Sequence, residues 1–157
     1  MSGLDQQLPE GLIAEVKAQS SSAVSPDFSA FVETLKSQYG ESIDAIILYG
    51  SCLHTCDLDE GIADLYIIVD QYQNAYSKRY LSYLNAWLAP NVFYIEVPHQ
   101  GKTLRAKYAV ISTADFERGA KYWFHSYIWA RFAQPSRLLY ARDAENQLRM
   151  HCVMAHS

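Results

Sequence analysis

Cysteine is scarce in this chain, with Cys52, Cys56 and Cys152 the three among 157 residues. So small and odd a number does not build a disulfide framework, and no Cys-x-x-Cys pair is present to indicate a zinc ribbon. We therefore expect a protein of a reducing compartment, and we place it in the cytoplasm.

Positive charge and long apolar runs are also lacking. The chain has 13 Lys and Arg residues against 17 Asp and Glu residues, a formal net charge of -4. Because binding to a phosphate backbone depends on a broad cationic field, this balance argues against nucleic acid as a partner.

No apolar run approaches the roughly 20 residues of a membrane-spanning helix. The first 26 residues contain neither an arginine nor an apolar signal core, so the sequence predicts neither secretion nor an organelle-targeting peptide.

The residues that are present suffice for one domain, since 50% of them are hydrophobic, which suits a single core in a chain of this length. Residues 1–25 are interpreted as an N-terminal segment and linker, and residues 26–157 as the domain. Apolar periodicity predicts helices at about 9–17, 26–39, 76–88, 114–132 and 142–154. Short β-rich runs predict strands at about 45–49, 63–70, 92–97 and 104–111, the last two joined by a hairpin turn at Gln100-Gly101. The predicted fold class is α/β, with a mixed sheet of four or five strands flanked by helices.

Two strand ends carry the functional signal. The strand at 45–49 stops in Gly50-Ser51, and Asp64 lies inside the next apolar strand. An ionised carboxylate among apolar residues needs a partner, so one interpretation is a structural cap or an ion pair. The other interpretation joins the two features: a small-residue turn lets backbone N–H groups approach a phosphate, Ser51 adds a hydroxyl donor, and Asp64 can hold Mg²⁺ against the same phosphates. That arrangement indicates nucleotidyl transfer.

The motif Tyr49-Gly50-Ser51, followed by Asp64 in the strand Ala63-Asp64-Leu65-Tyr66-Ile67-Ile68-Val69, resembles the signature of the polymerase-β-like nucleotidyltransferase superfamily. The second half of the chain narrows the resemblance. Its strand Arg105-Ala106-Lys107-Tyr108-Ala109-Val110-Ile111-Ser112, and the later Tyr127-Ile128-Trp129-Ala130-Arg131, are similar to the mitochondrial-type phosphatidate cytidylyltransferases. The resemblance extends over about residues 45–139.

The resemblance implies a nucleotidyltransferase fold and the transfer of CMP from CTP to phosphatidate, which yields CDP-diacylglycerol and pyrophosphate. It also implies Mg²⁺ as the cofactor, nucleotide binding at Tyr49, Gly50 and Ser51, and a catalytic, metal-holding role for Asp64.

Three further charged residues complete the predicted site. Lys107 interrupts an apolar strand and matches a lysine of the family, which predicts a catalytic contact to phosphate; an exposed lysine on a half-solvated strand is the alternative. Arg131 continues an apolar helical stripe, so we expect it to point inward and bind phosphate. Glu96 is the candidate second metal ligand, provided that its strand lies beside that of Asp64; a surface ion pair is the alternative.

The acceptor and the activity stay open on sequence grounds. The same Gly-Ser turn and Asp64 would serve a nucleotidyltransferase with another small-molecule or protein acceptor. Cys52, which adds a Cβ beside the turn, and Tyr66, which occupies the position of a second acid, favour a non-catalytic binding protein with this fold. The aromatic residues at 123–132 form either core or a face for peripheral contact with the inner surface of a membrane.

Overall fold

The structure is a computed structural model that describes residues 9–20, 24–50, 53, 61–75, 91–122 and 135–156. Its helices are α1 (Glu10–Ser20), α2 (Phe28–Tyr39), α3 (Tyr72–Ala75), α4 (Thr113–Tyr122) and α5 (Ala144–His156). Its strands are β1 (Ile43–Tyr49), β2 (Ile62–Val69), β3 (Asn91–His99), β4 (Lys102–Ser112) and β5 (Ser136–Ala141). None of the helices in these ranges is long and apolar enough to cross a membrane.

The strands form one five-stranded mixed sheet in the order β3-β4-β2-β1-β5. β2 and β4 run parallel, whereas the other neighbouring strands are antiparallel. The predicted α/β class and the mixed, helix-flanked sheet are therefore confirmed. β5 was not predicted, because its half-buried residues at the sheet edge show no alternation of polar and apolar side chains.

The centre of the sheet is buried on both faces. Every residue of β1 is buried, which explains why this strand reads as a continuous apolar run. On one face, α2 packs Phe31 and Leu35 against the strands. On the other face, Phe116 of α4 and Met150 of α5 cover β1, β2 and the last part of β4. The hydrophobic core is thus divided by the sheet into two layers.

The second face is covered only in part. Towards β3 the strands carry exposed side chains, with Val92 59% and Tyr94 52% exposed. β4 alternates there between buried Leu104 and Ala106 and exposed Arg105 and Lys107. This alternation is that of a strand with one face on the core and the other open. We call this exposed part of the second face, on β2, β3 and β4, the open face.

The hairpin between β3 and β4 has the predicted two-residue turn. Gln100 and Gly101 both have positive φ, 50° and 78°, as a type I′ turn requires. His99 pairs with Lys102, and the register continues from there without a shift to Tyr94 opposite Lys107. The prediction of a hairpin at this point is confirmed.

The helices near the chain ends and before β1 are confirmed in type and approximate extent. α2 ends at Tyr39, and the φ of 60° at Gly40, the next residue, suits the glycine stop predicted from sequence. α1 packs against α5 and β5, so the described part of the N-terminal segment lies against the domain. α4 accounts for the first part of the helix predicted at 114–132. The remainder of that helix, and the helix predicted at 76–88, lie outside the described residues.

A buried carboxylate ties three elements together at the start of β1. Asp44 is 5% exposed, and its Oδ1 lies 3.1 Å from Nη2 of Arg142, which follows β5. Its Oδ2 accepts a hydrogen bond of 2.6 Å from the hydroxyl of Thr113, the first residue of α4. Because both oxygens have partners, burial of this charge is compensated.

Candidate functional site at the end of β1

Gly50 and Asp64, which lie far apart in the chain, are in contact. Tyr49 at the end of β1 pairs with Asp64 of β2, which sets Asp64 beside the residue that follows β1. A Cβ added to Gly50 would stand 3.1 Å from Oδ2 of Asp64. The φ of Gly50 is 88°, a region that residues with a side chain rarely adopt. Glycine therefore serves here both the turn and the close approach of a carboxylate to the backbone.

Asp64 belongs to a row of side chains that crosses the sheet. In register, Tyr49 of β1, Asp64 of β2, Lys107 of β4 and Tyr94 of β3 are successive neighbours. Residues paired in this way point to the same face, with Cα atoms about 5 Å apart on adjacent strands. We call these four residues the site row.

Burial decreases along the site row. Tyr49 is 6% exposed, Asp64 is half-buried, and Lys107 and Tyr94 are exposed. The carboxylate thus stands at the border between the covered core and the open face, with a cation on its outer side. An anionic ligand approaching from the open face would meet Lys107 before Asp64.

Lys107 is exposed. This agrees with the alternative interpretation, in which Lys107 is an exposed lysine on a half-solvated strand. Its strand alternates because only one of its faces is covered at this point. Lys107 forms no ion pair with any residue that the structure describes. An exposed cation beside a carboxylate is accessible to phosphate, so this position is compatible with a phosphate contact without requiring one.

Glu96 is not next to Asp64, because β4 lies between their strands. Glu96 pairs with Arg105, whose partner on β2 is Ile62. From strand spacing and rise per residue, the Cα atoms of Glu96 and Asp64 are about 12 Å apart, too far for two carboxylates to share one ion. The condition attached to Glu96 as a second metal ligand is therefore not met. The sequence pattern gave the face of each strand but not the order of the strands.

Glu96 instead takes part in a small surface network. Its Oε1 lies 3.5 Å from Nε of Arg105 and accepts a hydrogen bond of 2.9 Å from the Tyr94 hydroxyl. This hydrogen bond, with smaller contributions from desolvation and from the charge of Glu96, raises the pKa of Tyr94. The network is the surface ion pair named as the alternative for Glu96, and it holds Arg105 and Tyr94 beside Lys107.

Two buried tyrosines lie next to Asp64 on the same face of the sheet, Tyr49 on β1 and Tyr66 two residues further along β2. The rings of Tyr49 and Tyr66 are 4.9 Å apart between centroids, and Tyr66 also contacts Phe116 of α4 at 6.4 Å. The position of a second acid, two residues after Asp64, is thus part of the covered core. The side chain of Tyr49 is core as well, so a nucleotide contact at this residue would use its backbone.

Several predicted residues have no structural outcome. Ser51, Cys52 and Arg131 lie outside the described residues.

Asp70, at the far end of β2, accepts hydrogen bonds from the Gln71 N–H at 2.6 Å and from the Asn74 side chain at 2.9 Å. It acts as a local cap, remote from the site row.

The fit to Mg²⁺ rests on one carboxylate. Within the described ranges, no group of three or more His, Cys, Asp or Glu side chains is arranged to hold a metal. Mg²⁺ at phosphate sites is commonly held by one or two carboxylates together with phosphate oxygens and water. The Oδ2 of Asp64 lies over a backbone position that a Cβ would crowd. A half-buried carboxylate beside a glycine at a strand end is compatible with that mode of binding.

Tyr94 was not assigned to the site from sequence, although a signal for its position was present. Counting back from a two-residue turn at Gln100-Gly101 puts Tyr94 opposite Lys107, as the register has it. Its alignment with Asp64 across β4 required the strand order, which the sequence did not supply.

No protein-family model matches this chain, and no curated protein sequence matches it.

Proposed function

We propose that this protein is a nucleotidyltransferase of the phosphatidate cytidylyltransferase type, which transfers CMP from CTP to phosphatidate with Mg²⁺. The observation that carries the proposal is the contact between Gly50, at the end of β1, and the carboxylate of Asp64 on the neighbouring strand. The mixed sheet with these two residues at adjacent strand ends supports a nucleotidyltransferase fold for the chain.

In this proposal the turn after β1 receives the triphosphate through its backbone N–H groups, since glycine permits the approach. Asp64 would hold Mg²⁺, which would supply positive charge against the phosphate oxygens and the leaving pyrophosphate. Lys107 adds a cation on the outer side of Asp64, where it stabilises negative charge that develops in the transition state.

The residues of the site row suit an acceptor that attacks through a phosphate oxygen better than one that attacks through a hydroxyl. An oxygen of the acceptor phosphate forms a bond to the α-phosphorus of CTP, the bond from that phosphorus to pyrophosphate breaks, and pyrophosphate leaves. A phosphate monoester is largely ionised at neutral pH, so its oxygen needs no general base. A hydroxyl acceptor would need one. The described part of the site row offers a carboxylate and a cation but no histidine, which suits the ionised acceptor better.

The open face supports a place for that acceptor. Arg105 and Lys107 are exposed two residues apart on β4, so their Cα atoms are separated by about 6.6 Å. Apolar neighbours Ile62, Val92 and Tyr94 are 39%, 59% and 52% exposed. Cations with exposed apolar side chains suit a phosphate that carries an apolar body, and they suit shallow, peripheral contact with the cytoplasmic surface of a membrane.

The test is incubation with CTP labelled at the α-phosphate, Mg²⁺ and phosphatidate in detergent. The proposal expects label in the lipid phase, and a loss of turnover on the order of 10²–10³ in Asp64→Asn. Asp70→Asn is the matched control, because it removes a carboxylate charge at the other end of the same strand; it should retain activity. Equal rates in the parent and in folded Asp64→Asn would remove Asp64 from the mechanism.

A non-catalytic nucleotide-binding protein is the second candidate, favoured by the fully buried Tyr66 in the position of a second acid. Thermal shift with each nucleoside triphosphate and Mg²⁺ separates the two. Stabilisation by CTP without labelled product would favour this candidate, whereas stabilisation by ATP alone would favour a nucleotidyltransferase with another acceptor.

A further inference from the structure

His151 on α5 is a completely buried histidine. Its exposed fraction is 0%, and neither ring nitrogen has a hydrogen-bond partner in the part of the chain that is described. A neutral imidazole has one donor and one acceptor, whereas an imidazolium has two donors and a charge. Burial without partners therefore disfavours both forms, and the charged form far more strongly.

The ring lies on a part of α5 that is packed on several sides. Met150, Val153 and Met154 of α5 belong to the core layer against the sheet, and α5 also packs against α1. The pKa of His151 is lowered, first by burial and second by the positive charge of Lys17 on α1. Both influences act against protonation while α1 is in place.

Among the residues that the structure describes, no carboxylate compensates a charge on His151. On α4, Glu117 is paired with Arg149 of α5 at 2.5 Å, and Asp44 of β1 is paired with Arg142. Neither carboxylate contributes to the pKa of His151. The titratable and charged side chains that the structure describes on α1, α4, β1, β5 and α5 are Glu10, Glu15, Lys17, Asp115, Glu117, Arg118, Asp44, Tyr49, Arg137, Tyr140, Glu145, Arg149 and Cys152.

α1, which packs against α5, has few buried residues of its own. Only Ser20 in α1 is buried, Ile13 and Val16 are half-buried, and Leu12 is 41% exposed. An element held by so few apolar contacts opens at a lower free energy than the central strands. Val16 of α1 packs against the core layer that contains Met150, Val153 and Met154, so release of α1 would uncover the part of α5 that carries His151.

We propose that His151 makes the docking of α1 on α5 sensitive to pH, so that protonation of the imidazole releases α1 while the sheet stays folded. A pKa lowered in the docked state means that the released state binds more protons. Docking is therefore strongest above the ordinary histidine pKa of about 6.5 and weakens as the pH falls below it. The equilibrium constant for release should rise about tenfold per pH unit, down to the pKa of the docked state. This device acts independently of the activity proposed for the open face.

Hydrogen exchange of the backbone amides of the full chain, between about pH 7.5 and 5.0 and corrected for intrinsic rates, tests the proposal. The amides of α1 should lose protection about tenfold per pH unit below about pH 6.5, while those of β1 and β2 stay protected. His151→Met should remove this pH dependence. His99→Gln is the control, because His99 is a partly exposed histidine paired with Asp27 at 3.4 Å; it should keep the dependence.

Two results would overturn the proposal. One is a loss of α1 protection at low pH that persists in folded His151→Met, or in the neutral polar variant His151→Gln if the methionine variant does not fold. The other is simultaneous loss of protection in α1, β1 and β2 of the parent, which would show global unfolding. Lys17→Met removes the positive charge that opposes protonation of His151. In this variant the amides of α1 should lose less protection at low pH than they do in the parent.

Discussion

At Gly50 the missing side chain has two effects that can be separated. The backbone adopts a φ of 88°, and a Cβ would lie 3.1 Å from Oδ2 of Asp64. Gly40 shares only the first of these features, because its φ is 60° and nothing lies within 4 Å of its Cβ position. The two glycines therefore differ in whether a side chain would disturb a functional group.

Gly50→Ala should lose both stability and nucleotide affinity. Positive φ in a residue with a Cβ costs about 1–2 kcal/mol, and the contact with Asp64 must shift the carboxylate. Gly40→Ala should lose a similar amount of stability and keep its affinity. Urea denaturation and calorimetric titration with CTP and Mg²⁺ measure the two quantities. Unchanged affinity in Gly50→Ala would separate the turn from the nucleotide site.

At the scale of elements, β4 has a buried face and an open face. Leu104 and Ala106 belong to the core layer on the α2 side of the sheet, while Arg105 and Lys107 are exposed. The sequence marked Lys107 as unusual for its strand, and the structure explains it by the uncovered second face. Because Lys107 is exposed, its substitution by methionine removes no buried charge, and we expect no gain in stability from it.

Lys107→Met should change the free energy of unfolding by less than about 0.5 kcal/mol, as is usual for an exposed site. Under the proposed function it should weaken binding of CTP or phosphatidate by about 1–3 kcal/mol, the range for hydrogen bonds to charged groups. Lys36→Met is the matched control, since it removes the same charge from α2, where Lys36 lies 4.7 Å from the Tyr140 ring. Equal affinities for both variants would exclude Lys107 from the phosphate contacts.

At the scale of the whole molecule, Asp44 connects β1, α4 and the segment after β5. Arg142 contributes further, because its Nε donates to the carbonyl of Ile43 at 3.3 Å and its N–H donates to the carbonyl of Asp44 at 2.9 Å. The network lies at the opposite end of β1 from Gly50. It therefore bears on stability and leaves the proposed chemistry untouched.

Asp44→Ala should lower the free energy of unfolding by about 3 kcal/mol, because it leaves a partly buried guanidinium and a buried hydroxyl without their acceptor. Glu96→Gln should cost at most about 1 kcal/mol, since its ion pair with Arg105 is exposed. Chemical denaturation with equal slopes for parent and variants gives both values. Similar small losses in the two variants would contradict the structural role of Asp44.

The features of the fold that could be predicted from sequence are those set by neighbouring residues, whereas contacts between residues distant in sequence could not be predicted. Local signals predicted the hairpin at Gln100-Gly101 and the buried strands, because turn chemistry and apolar runs are read from neighbouring residues. The strand order was not available, so Glu96 was considered beside Asp64 although β4 separates them. Asp44 gave no signal either, since its partners Thr113 and Arg142 are distant in sequence.

Under the proposed function, metal and nucleotide bind at the carboxylate of Asp64, beside the turn after β1. A crystal structure of the protein with Mn²⁺ and a non-hydrolysable CTP analogue tests it most directly, since Mn²⁺ is located by its anomalous scattering. We expect Mn²⁺ bound to Asp64 at an oxygen distance of about 2.1 Å, with phosphate oxygens over Gly50. Mn²⁺ and nucleotide bound elsewhere, with Asp64 in contact with neither, would contradict it.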